Sequence, residues 1–82
     1  MEDLRFTKGI RIAAGSGVGL LRTVGEAIDH ANELMDKPVW NAKLETARQA
    51  LYAANDSGEQ GMVDAARDAY QAALKAKKLA FD

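Results

Sequence analysis

His30, the only histidine of this 82-residue chain, has Glu26 four residues before it and Glu33 three residues after it. On a helix that spacing brings an imidazole among carboxylates, a set that can shuttle protons and whose negative charges would raise the imidazole pKa. Nothing near it in sequence supplies a nucleophile or an oxyanion donor, so a solvated surface histidine is expected, with no catalytic residue and no enzyme activity. With Asp29 the same carboxylates lack calcium-loop spacing and any two-histidine pattern, so no metal is expected. Gly15, Gly17 and Gly19 alternate as in a phosphate-cradling loop. A dinucleotide fingerprint, however, needs a helix straight after that loop, and here the apolar run Val18 to Leu21 intervenes. The glycines therefore mark a hairpin turn, and no cofactor is expected.

The cations are placed unevenly. Arg5, Lys8, Arg11 and Arg22 make the first 25 residues basic, while residues 26 to 60 are acidic. These four are the candidate partner-binding residues. They could meet an acidic protein surface, including the acidic helix face of a second copy, or nucleic-acid phosphates. A formal net charge of −1 is far from the basic balance that phosphate neutralisation demands, so nucleic acid is the alternative and not the default. Arg67, three residues before Tyr70, is expected to lay its stem over apolar surface and pair with Glu26, Glu45 or Asp64. Trp40 and Tyr52 read as core or rim aromatics rather than stacking platforms.

The elements that would carry these residues follow from periodicity. From Leu4 to Ala14 the even positions are apolar except Lys8, which predicts a strand with one inward lysine near a sheet edge. Val18 to Leu21 makes a short second strand. Thr23 with Glu26 has the form of a capping box, and Val24, Ala27, Ile28, Ala31, Leu34 and Met35 follow at helical spacing until Asp36-Lys37-Pro38 ends the helix. Trp40, Leu44, Ala47, Leu51 and Ala54 form a second stripe, closed by turn chemistry at Asn55 to Gly58. Val63, Ala66, Tyr70, Ala73, Leu74 and Phe81 form a third, whose last turns carry Lys75, Lys77 and Lys78. The fold class is therefore α+β: an N-terminal antiparallel β-hairpin packed on three short α-helices, one small domain over residues 1–82.

Composition sets the limits of this design. Alanine accounts for 16 residues of the 48% that are hydrophobic, so the core is lean and its helices must approach closely. There is no cysteine, hence no disulfide or thiolate site, which suits a reducing cytosol. No apolar run nears the roughly 18 residues of a membrane span, and no signal-peptide core follows Met1 to Arg5, so a soluble, unprocessed cytoplasmic protein is expected.

Phe6, Ile10 and Ile12 in the first strand, Glu26-Ala27 at the helix start, and Ala66-Arg67-Asp68-Ala69-Tyr70-Gln71-Ala72-Ala73 together make a pattern. In these the chain resembles the bacterial domain-of-unknown-function family numbered 982, small stand-alone proteins with a C-terminal Ala-Arg-x-Ala-aromatic-x-x-Ala segment. The resemblance implies the same fold and no assigned activity. The function expected is a small non-enzymatic protein-interaction module, self-associating as a homodimer or binding another protein. Its motive is physical: a two-stranded hairpin is marginal alone and leaves backbone groups unpaired along its edges.

Overall fold

The computed structural model describes residues 4–14 and 17–81. Strand β1 (Arg5–Ala14) pairs antiparallel with β2 (Gly17–Thr23), and helices α1 (Val24–Leu34), α2 (Ala42–Ser57) and α3 (Gln60–Ala76) follow. A two-residue strand β3 (Ala80–Phe81) then returns to the other side of β1, giving the sheet order β2-β1-β3. The α+β hairpin-plus-three-helix design is thus present, with a third strand that the periodicity did not announce. Gly15 and Ser16, where the hairpin turn is expected, lie outside the described residues.

One face of the sheet meets the helices. Phe6, Ile10 and Ile12 of β1 and Leu21 of β2 are buried against Val24, Ala27, Ile28 and Ala31 of α1, Leu44, Ala47, Leu51 and Ala54 of α2, and Val63, Ala66, Tyr70, Ala73 and Leu74 of α3. Six of these 17 core residues are alanines, which let the helices approach closely. In the segment from Ala66 to Ala73, Ala66, Arg67, Tyr70 and Ala73 are buried, so its spacing is that of a core-facing helix stripe. Lys8 departs from expectation: it is exposed, in a stretch where the β1–β2 register shifts between Arg5 and Ile10, and the irregularity takes it off the inward face.

The helix ends carry their own chemistry. Thr23 Oγ1 accepts from the Glu26 amide at 3.1 Å, and Glu26 Oε1 reaches back to accept from the Arg22 amide at 2.7 Å, one residue earlier than a standard capping box. Asn41 Oδ1 caps α2 by accepting from the Leu44 amide at 2.9 Å. Trp40 sits ahead of α2 rather than on it, half-buried against the core, and Met35 falls past the end of α1 and is exposed. Helix α2 runs through Asn55, Asp56 and Ser57, and stops at Gly58 in the left-handed region (φ 70°).

Phe81 does not continue the stripe of α3. The Lys78 amide donates to Lys75 O at 3.0 Å and the Leu79 amide to Leu74 O at 2.9 Å, with Lys78 at φ 61°. This is a Schellman stop with a lysine where glycine is usual. It turns the chain so that Phe81 pairs with Arg11 and Ala80 with Ile12.

Candidate functional site

The hairpin has two long edges, and the structure treats them differently. Gln60, Asp64, Arg67 and Gln71 recur along α3 at intervals of four, three and four residues, forming a polar row beside its apolar stripe. Gln60 Nε2 donates to Arg5 O at 2.8 Å. Asp64 accepts from the Thr7 amide at 2.9 Å and from the Thr7 hydroxyl at 2.7 Å. Those two donors hold the Asp64 carboxyl below the usual carboxylate range. Arg67 donates from Nε to Lys8 O at 2.9 Å and from Nη2 to Gly9 O at 3.2 Å. Strand β3 takes over at Arg11, and the Ala13 amide donates to Leu79 O at 2.8 Å. The outer edge of β1 is sealed from Arg5 to Ala13.

Among the described residues the outer edge of β2 is covered at Arg22 alone, whose amide donates to Glu26 Oε1 at 2.7 Å. Because the Ala13 amide points to the β3 side, the pairs Arg11–Leu20 and Ala13–Val18 are the non-hydrogen-bonded ones of the β1–β2 ladder. The amide and carbonyl of Leu20 therefore face outward, and no group among the described residues bonds them. Leu20 as a residue is 44% exposed. Beside it, a hollow of about 290 Å³ lies between this edge and α1, lined by Leu20, Leu21, Glu26, Asp29, His30 and Glu33.

The four candidate cations divide into two groups. Lys8 and Arg11 line one hollow of about 420 Å³ together with Gly9, Leu20, Arg67 and Gln71. Arg5 is paired with Thr23 in the ladder and Arg22 is its neighbour, so these two exposed arginines share the far end of the hairpin and do not line that hollow. Arg67 pairs with none of Glu26, Glu45 or Asp64. Its acidic partner is the adjacent Asp68 at 2.7 Å, and its other bonds go to the two consecutive carbonyls of the register shift. The planar fork of a guanidinium suits such a pair of acceptors, and the polar heptad in α3 was the signal for it.

His30 is not a solvated surface group. Its Nδ1 lies 2.7 Å from Tyr70 Oη, and the two rings meet edge to face. Burial lowers its pKa, against the weaker opposing effect of Glu33, so the direction is opposite to the one its acidic neighbours suggest. Tyr52 lies at the rim, with Arg48 over its ring at 5.3 Å. Among the described residues no cluster of histidine, cysteine, aspartate and glutamate could hold a metal ion, and no helix is long and apolar enough to cross a membrane.

Comparison with protein-family models, with curated proteins and with solved structures finds no match for this chain.

Proposed function

We propose that this chain is a small, non-enzymatic protein-interaction module of the cytoplasm that accepts an extended segment of a partner polypeptide as an additional strand on the outer edge of β2. The observation that carries this reading is the contrast between the two edges: β1 is sealed by Gln60, Asp64, Arg67 and β3, whereas Leu20 presents its amide and carbonyl outward. An unpaired edge is a template for strand addition, with main-chain bonds giving affinity and alternate side chains giving selectivity. Glu26, Asp29 and Glu33 beside that edge favour a segment with lysine or arginine at those alternate positions. A second copy pairing β2 to β2 is the homodimeric version. It brings two acidic α1 faces together and is the less favoured occupant.

The test uses Leu20→Pro. The Leu20 amide faces away from β1, so proline removes the outward donor without breaking a ladder bond. A panel of extended peptides with alternating lysine and valine should shift the Leu20 amide resonance of the parent protein and fail to bind the proline variant. Binding that survives the substitution, or the absence of any binder, sinks the reading. Analytical ultracentrifugation at high micromolar concentration decides the occupant: a dimer abolished by Leu20→Pro makes it a second copy, and a strict monomer removes that version. The nucleic-acid alternative requires Arg5, Lys8, Arg11 and Arg22 to neutralise phosphates, and a titration with mixed DNA and RNA that stays flat at low salt disposes of it.

A further inference from the structure

We infer that the hollow lined by Lys8, Gly9, Arg11, Leu20, Arg67 and Gln71 is a binding site for a phosphate monoester. It does not depend on strand addition at β2. Among the described residues the lining holds three cationic side chains and no carboxylate. Asp68, whose side chain is 71% exposed, takes one N–H of Arg67, and Asp64 is occupied by Thr7 and Gln60. Arg67 is 9% exposed and held by Lys8 O, Gly9 O and Asp68, which use three of its five N–H groups. Two N–H groups are left on a guanidinium already fixed in place, so little ordering cost remains when an anion binds.

Lys8 and Arg11 line the same hollow, and neither side chain has a hydrogen-bond or ion-pair partner among the described residues. Three cationic groups around one space match the three terminal oxygens of a phosphate monoester better than the two of a carboxylate. The hollow, about 420 Å³, has room for more than phosphate itself, and Leu20 gives an apolar wall for the organic part of the ester. Gly9 keeps the floor open, since a Cβ there would come within 2.9 Å of Leu20 Cδ1.

The experiment follows the Gly9 amide and Arg67 Nε–H resonances at constant ionic strength while inorganic phosphate, glycerol 3-phosphate, a phosphoserine peptide or succinate is added. Saturable shifts with phosphate and with at least one ester are expected. Lys8→Ala and Arg11→Ala should each weaken binding about fivefold to tenfold, and Arg5→Ala and Arg22→Ala should leave it unchanged. The tighter ester identifies the source as a small molecule or a modified polypeptide. Shifts that never saturate, equal losses in the Arg5 and Arg22 variants, or succinate binding as tightly as phosphate would each overturn the assignment.

Discussion

Tyr70 Oη of α3 and His30 Nδ1 of α1 stand 2.7 Å apart, joining residues forty positions apart. Burial pushes the Tyr70 phenol above its ordinary pKa, so it keeps its proton, and it donates that proton to Nδ1 when the neutral imidazole carries its own hydrogen on Nε2. Protonating His30 would place a hydrogen on Nδ1 and reverse the bond. The buried phenolic hydrogen would then have no acceptor among the described residues.

Stability should therefore depend on pH through His30. A base whose pKa is depressed by folding contributes fully above its unfolded value, here the ordinary 6.5. As pH falls below that value, the unfolded chain takes up the proton first and stability declines, levelling off once the folded pKa is passed. Urea midpoints should be constant above about pH 7.5 and fall towards about pH 5. His30→Gln should remove this slope, and an unchanged slope in that variant would refute the assignment.

Arg67 ties α3 to the register shift in β1, and its removal leaves the carbonyls of Lys8 and Gly9 without donors. Arg67→Ala should cost about 2–3 kcal/mol by urea denaturation. Arg67→Lys should recover only part of this, because one ammonium cannot reproduce the fork.

Gly9 is required by space and not by a left-handed backbone. An added Cβ would meet Leu20 Cδ1 at 2.9 Å and Leu21 O at 3.0 Å. Gly9→Ala should destabilise by about 1–3 kcal/mol. Adding Leu20→Ala should recover part of the loss, since the side-chain clash is relieved and the backbone one persists; thermal melts of the single and double variants measure the coupling.

Two of the described residues adopt left-handed geometry, Gly58 at φ 70° and Lys78 at φ 61°, and they predict opposite effects. Gly58→Ala should cost about 1 kcal/mol although its Cβ would enter open space. Lys78→Gly should stabilise by about 0.5–1 kcal/mol, read as a higher urea midpoint.

Where burial follows a repeating pattern, the fold was legible: alternation marked β1, and the stripes of α1, α2 and α3 named nearly all of the core. Phe81 was misplaced because it lies seven residues after Leu74, a helical interval, and a lysine at the left-handed position gives no compositional warning of a stop. A two-residue strand is too short to show alternation. The seal along β1 was overlooked for a different reason. Gln60, Asp64, Arg67 and Gln71 look like a solvated helix face unless the strand beside them is known. The partnership of His30 with Tyr70 depends on tertiary packing alone, so local charges pointed its pKa the wrong way.

The pairing of Phe81 with Arg11 also has a bearing on biosynthesis. The strand made first cannot complete its flank until nearly all the helical residues have left the ribosome, so the nascent hairpin must wait with that side uncovered. Translation that stalls inside α3 would leave β1 available to other chains, and such truncated products are the ones that would call for chaperones.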